Sequence, residues 1–196
     1  GYPTCEACAQ AIAEGKSAAL CPACDSDAVR SISEELGREP VEACDQVAFL
    51  KCAGDAAGKK RFHGMESCQK AKECGFLDGE CQWGCMGIGS CIERCKFDAM
   101  HLEDDQLVID RDKCTGCMAC IDICPQHIIE MIPREATNFI PCSSKDNEKD
   151  TLQACGYGCI GCGDCALACP NDAIEMVVGD KIDGRYAKID YSKCEG

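Results

Sequence analysis

Cys114-Thr115-Gly116-Cys117-Met118-Ala119-Cys120-Ile121-Asp122-Ile123-Cys124-Pro125 decides how this chain is read. Its cysteines follow the pattern C-x2-C-x2-C-x3-C-P. Three thiolates spaced by two on a tight loop can take three corners of one cubane iron–sulfur cluster, and the fourth, at a short helix, reaches the other cluster of a pair. Pro125 suits a first helical turn, where its missing N–H does no harm. Gly116 lets the backbone wrap closely around an inorganic core. Zinc usually takes two separated pairs of cysteines instead.

The pattern recurs downstream as Cys159, Cys162, Cys165 and Cys169-Pro170. An upstream copy is altered: Cys85, Cys91 and Cys95 keep their places, but Ile88 stands where the middle cysteine belongs and Lys96 replaces the proline. Each copy is preceded by a further cysteine, Cys81 or Cys155. Each is followed by a short strand, Leu107 to Asp110 or Ala187 to Asp190, that leads into Cys114 or Cys194. Repetition at this scale marks a duplicated module. Cys52 and Cys142, each ahead of a polar loop, extend the correspondence, and 143–150 reads as a polar, acidic linker.

These spacings give expected ligand sets. Cys81, the nearest thiol to the altered copy, is expected to join Cys85, Cys91 and Cys124 at one cluster. Cys95 joins Cys114, Cys117 and Cys120 at its partner. Cys159, Cys162 and Cys165 need a fourth ligand from beyond residue 196, and Cys169 and Cys194 need two more. Near the start, Cys5-x2-Cys8 and Cys21-x2-Cys24 could bind zinc or a cluster. Cys44, Cys52, Cys68, Cys74, Cys142 and Cys155 remain; each alone could be a buried thiol, and Cys52, Cys68, Cys142 and Cys155 could together form one more site.

Composition agrees. Of 196 residues, 23 are cysteine, while aromatics make up 5% with a single tryptophan, so a conventional core is thin and metal–thiolate bonds must carry much of the folding. A disulfide scaffold would explain the cysteine count but not the triplets. The net charge of −14 disfavours nucleic acid and suits a basic patch on another protein. Lys59-Lys60-Arg61 reads as a solvated loop, and His63, His101 and His127 as isolated loop or surface residues. No P-loop or G-x-G-x-x-G fingerprint appears. No apolar run is long enough to span a membrane, and no signal peptide is visible. The first and last residues read as those of a fragment cut from a longer protein.

The expected fold class is α+β, in small cofactor-stabilised modules. An N-terminal helical 4Fe-4S domain occupies 1–40, with helices over Glu6 to Ala19 and from Ser26 to Gly37, the second placing Ala28, Val29, Ile32 and Leu36 on one face. A connecting segment follows at 41–80, its stretch from Val41 to Lys51 a short strand or helix. Tandem bacterial-type ferredoxin-like modules (βαβ-βαβ) occupy 81–141 and 142–196. Roughly three to five [4Fe-4S] clusters are expected.

Longer strings carry a resemblance. Gly1-Tyr2-Pro3-Thr4-Cys5, Cys21-Pro22, Lys51-Cys52-Ala53-Gly54-Asp55, Gly84-Cys85-Met86-Gly87 and Gly158-Cys159-Ile160-Gly161-Cys162 resemble the B subunits of Rnf complexes, the ion-translocating ferredoxin:NAD+ oxidoreductases. In that family the N-terminal cluster uses C-x2-C-x4-C and a distant cysteine. Cys5 and Cys21 match the last two; either the first two lie upstream, or Cys8 and Cys24 substitute. The resemblance implies an electron-transfer subunit on the cytoplasmic face of the membrane, anchored by a helix before these residues. It would accept electrons from reduced ferredoxin and pass them to other Rnf subunits, which hold flavin and NAD+, while the complex pumps Na+ or H+. A free-standing polyferredoxin and the ferredoxin-like subunit of a soluble flavin-based reductase are the alternatives.

Overall fold

The computed structural model describes residues 4–16, 18, 21, 24, 26–38, 46–54, 62–77, 80–179 and 183–195. Cys44 and Lys59-Lys60-Arg61 lie outside them.

Two helices open the chain, α1 (Cys5–Ala13) and α2 (Ser26–Glu35). Thr4 caps α1 by accepting a hydrogen bond from the Ala7 N–H. The helix stops short of the expected Ala19, because Glu14 ends it and Gly15 turns left-handed at φ +117°. Arg38, just past α2, donates to the carbonyls of Ile12 (2.7 Å), Lys16 (3.1 Å) and Ala13 (3.2 Å), satisfying the open end of α1. Val29, Ile12, Ala18 and Cys8 are buried between the helices, with Ile32, Cys21 and Cys24 packed against them.

The next unit runs β1 (Gln46–Leu50), α3 (Cys68–Glu73), α4 (Ser90–Arg94), β2 (Met100–Glu103), β3 (Gln106–Ile109), α5 (Ala119–Ile123) and β4 (Ile129–Pro133). β2 and β3 form an antiparallel hairpin, and β1 pairs antiparallel with β4 from Gln46↔Pro133 to Leu50↔Ile129. The strand closing this ferredoxin-like unit therefore comes from the stretch read as a connector. Val47 and Ile132, partners across that ladder, are both fully buried. Around them lie Leu50, Met100, Leu107, Ile128 and Ile129, and three cysteines share the same core: Cys91, Cys114 and Cys120.

The 143–150 stretch, read as a polar, acidic linker, is in part packed into the fold. Ser144 and Thr151 are buried with their hydroxyls 3.1 Å apart, and Ser143 donates to the Trp83 carbonyl at 2.7 Å. Asn147 accepts from the Asp150 N–H at 3.0 Å and so starts α6 (Glu148–Ala154). Ser143 and Ser144 bond inward while Glu148 and Lys149 stay exposed, which composition alone does not show. The chain ends with α7 (Asp164–Ala168) and the antiparallel pair β5 (Ile174–Val178) and β6 (Arg185–Ile189). Among the described residues, no helix is long and apolar enough to cross a membrane.

Candidate metal centres

All three cysteine motifs fold alike. The residue two after the first cysteine turns left-handed in each: Gly87 at φ +74°, Gly116 at +69° and Gly161 at +67°. A second left-handed residue, Gly89, Met118 or Gly163, caps the short helix holding the third cysteine: Cys91 on α4, Cys120 on α5, Cys165 on α7. Three residues past the fourth cysteine the chain turns left-handed again, at Asp98, His127 and Asp172, and then buries Ala99, Ile128 or Ala173. The altered copy thus keeps the loop despite Ile88.

Gly116 shows how tight this loop is. A Cβ there would sit 2.7 Å from the Gln46 carbonyl oxygen, a backbone atom held in the β1–β4 ladder. Gly116→Ala is therefore expected to destabilise the protein by about 1–3 kcal/mol or more, read as a lowered thermal midpoint with clusters bound. An unchanged midpoint would mean the loop is not held against β1.

Cys95, Cys114, Cys117 and Cys120 line one cavity of about 310 Å³, counting its open mouth. The Ala48 N–H lies 3.4 Å from Cys114 Sγ, and the Thr115 hydroxyl on the cavity wall is buried without a hydrogen-bond partner. An inorganic sulfide would accept from that hydroxyl, so this site fits a cluster. Burial, then the thiols of Cys114 and Cys117, push the Cys120 thiol up to about 12.

A second cavity, about 410 Å³ on the same count, is lined by Cys68, Cys85, Cys91 and Cys124. Cys81, expected here, does not line it, and Cys68 does. Ile88, in place of the missing cysteine, packs against a small core of Phe62, Ala71 and Met86 that carries Cys68 at the start of α3. Ser90 Oγ accepts from the Cys68 N–H at 2.9 Å and ties that helix to the motif. The Cys91 thiol is pushed up to about 12, by burial first and then by Cys85, Cys68, Cys124 and Cys120. Since Cys120 belongs to the other cavity, the two sites are neighbours, as the packing of α4 on α5 requires. Neutral thiols are the stable form of such crowded sites until cations join them.

Cys81 lines a third cavity, together with Cys52, Cys142 and Cys155. Its thiol is pushed up to about 11 by burial, partly offset by the Trp83 N–H and raised further by the neighbouring thiols of Cys52, Cys155 and Cys142.

In the second copy, Cys165 lies near Cys159 and Cys162, and Cys165, Cys169 and Cys194 line a common cavity. At the N-terminus, Cys8 hydrogen-bonds Cys21 and lies near Cys5, so the two expected ligands flank a thiol of the alternative set. The structure forms no disulfide among the described cysteines. His101 and His127 are exposed, and His63 lies 3.4 Å from Asp105, both half exposed.

Residues 107–130 match the 4Fe-4S binding domain family, and 158–196 match the 4Fe-4S dicluster domain family. The B subunit of the Na(+)-translocating ferredoxin:NAD(+) oxidoreductase complex of Acetobacterium woodii is 33% identical over 99% of this chain and 58% of its own length. The B subunit of the ion-translocating oxidoreductase complex of Methanosarcina acetivorans is 32% identical over 81% of the chain and 62% of its own length. The chain thus spans about three-fifths of these relatives. A ferredoxin of Alicyclobacillus acidocaldarius is 39% identical over 61 residues, 78% of its length.

Proposed function

The chain belongs to the 4Fe-4S ferredoxin family, and on that premise we propose that it is the electron-relay component of an ion-translocating ferredoxin:NAD+ oxidoreductase complex. One observation carries the relay: two four-cysteine cavities built by the packed pair α4 and α5, with Cys91 of one site beside Cys120 of the other. When bound, [4Fe-4S] clusters supply one-electron transfer at low potential.

The chain's own residues do the rest. Cys68, Cys85, Cys91 and Cys124 would hold one cluster, and Cys95, Cys114, Cys117 and Cys120 the next. Val47, Met100, Leu107 and Ile129 keep water out, and the N–H groups of Ala48 and Gly87 lie 3.4 Å from the Cys114 and Cys85 sulfurs, which favours thiolate over thiol. The first ferredoxin-like module runs from β1 to β4, about 46–133 in place of 81–141. The second, 142–196, brings Cys159, Cys162, Cys165, Cys169 and Cys194. Cys5 and Cys21 serve a cluster in the N-terminal helical domain. Reduced ferredoxin as donor, NAD+ as final acceptor on another component of the complex, and a place on the cytoplasmic face of the membrane complete the reading. The match over 99% of the chain to the B component of such a complex supports it.

The test is iron, acid-labile sulfide and zinc per chain on full-length protein purified anaerobically, with electron paramagnetic resonance after reduction by ferredoxin. Expected are several irons per chain, matching sulfide, and interacting S = 1/2 signals. Zinc without sulfide would end the iron–sulfur reading; clusters that ferredoxin cannot reduce would end the relay.

A further inference from the structure

Cys52, Cys81, Cys142 and Cys155 lie outside both segments that match 4Fe-4S families. They come from four separate stretches of chain. Cys52 and Cys142 form an isolated antiparallel bridge, Cys155 closes α6, and Cys81 precedes the altered motif. Yet all four line one cavity of about 400 Å³, open mouth included, a size close to that of the cavity around Cys68, Cys85, Cys91 and Cys124.

The surroundings are those of a thiolate site. Cys52 Sγ accepts from the Cys85 N–H at 3.4 Å. Cys142 Sγ accepts from the N–H groups of Cys159 at 3.2 Å and Ser144 at 3.4 Å. The Trp83 N–H of the backbone serves Cys81. The indole N–H of Trp83, on the wall of the same cavity, is buried without a hydrogen-bond partner. A buried donor left unmatched is destabilising, and an inorganic sulfide would satisfy it. The Lys145 ammonium lies 5.1 Å from the centre of the Trp83 ring and brings positive charge to a site that must hold four negative thiolates.

We propose that Cys52, Cys81, Cys142 and Cys155 hold a further [4Fe-4S] cluster at the junction of the two ferredoxin-like modules. The inference rests on the iron–sulfur reading above, but not on the identity of the partners. Each repeat copy contributes two of the thiols, so the site exists only where the copies meet. Two hydrogen bonds fix its place: Cys85, on the wall of the first module's cavity, holds Cys52, and Cys159 of the second copy holds Cys142. A cube of iron and sulfide accepts thiolates set wider apart than zinc does, since zinc gathers its sulfurs at about 2.3 Å. Among the described residues no three His, Cys, Asp or Glu side chains gather as a single-ion site.

The test compares full-length wild-type protein with Cys142→Ala, purified anaerobically. The variant is expected to lose about four irons and four sulfides per chain and keep the rest. Should Cys142→Ala fail to fold, Cys81→Ser replaces one sulfur by an oxygen of similar reach. It is expected to lose iron from one cluster and to change one paramagnetic signal while the others persist. Wild-type iron, sulfide and spectra in the folded variant would overturn the junction cluster alone. Zinc at the junction, lost on substitution while sulfide stays constant, would also overturn it. Wild-type protein without sulfide would overturn the parent reading and this one with it.

Discussion

Removing the iron with a chelator under anaerobic, reducing conditions is expected to unfold most of the chain. The buried core of the first module contains Cys91, Cys114 and Cys120, with Cys52, Cys85, Cys95 and Cys124 packed against it. Among the described residues, the largest fully buried side chains are Ile132, Val29 and Val47. Helices α4, α5 and α7 have five residues each, too short to persist alone. Structural zinc in zinc-finger peptides contributes about 10–16 kcal/mol, as much as the whole net stability of about 5–15 kcal/mol of an ordinary domain, and cluster ligation is expected to stabilise this chain on that scale. Circular dichroism should therefore fall to that of a coil, and amide protection across β1 and β4 should vanish. Any structure that survives is expected to weaken as pH rises from about 9 towards 12. In it Cys91 and Cys120 hold protons, their pKa raised to about 12, that unfolded thiols release near 9.0. An iron-free chain that keeps its dichroism and melts cooperatively would show that apolar packing, not ligation, carries the fold.

The sequence made the chemistry legible because cubane ligation imposes local spacing. The quartet Cys95, Cys114, Cys117 and Cys120 came from spacing alone, and the structure gathers those thiols at one cavity. What spacing could not show was any choice made at long range. Cys81 was expected beside Cys85 because it is near in sequence. The structure instead brings in Cys68, through a core of Phe62, Ala71 and Met86 against which Ile88 packs. A signal was present: an isoleucine at a ligand position, and Ser67-Cys68 opening a helix with Ser67 as its cap. The pairing of β1 with β4 was hidden for the same reason, since a short apolar run over Val47 to Leu50 does not name its partner. Likewise, the hydrogen bonds that bury Ser144 and Thr151 cannot be read from a polar composition.

The second large effect separates the two cavities that sequence had exchanged. Cys68→Ala is expected to remove about four irons per chain, because a cluster left with Cys85, Cys91 and Cys124 lacks its fourth thiolate and opens beside the exposed Ile123. Cys81→Ala should remove a similar amount from the other cavity, so single variants do not tell the assignments apart by iron alone. Double variants do. Ligands of one cluster act as a unit, so Cys68→Ala with Cys85→Ala should lose no more iron than either alone. Cys68→Ala with Cys81→Ala, which strikes two cavities, should lose about twice as much. A spectroscopic readout runs in parallel. Cys91 and Cys120 are neighbours across their two sites, so the reduced clusters there should couple magnetically. Cys68→Ala should abolish that coupling, and Cys81→Ala should leave it. If instead Cys81→Ala with Cys85→Ala proves non-additive and Cys68→Ala keeps its full iron, the nearest-cysteine set is right. Ile88 and Ser90 would then have no part in choosing the ligand.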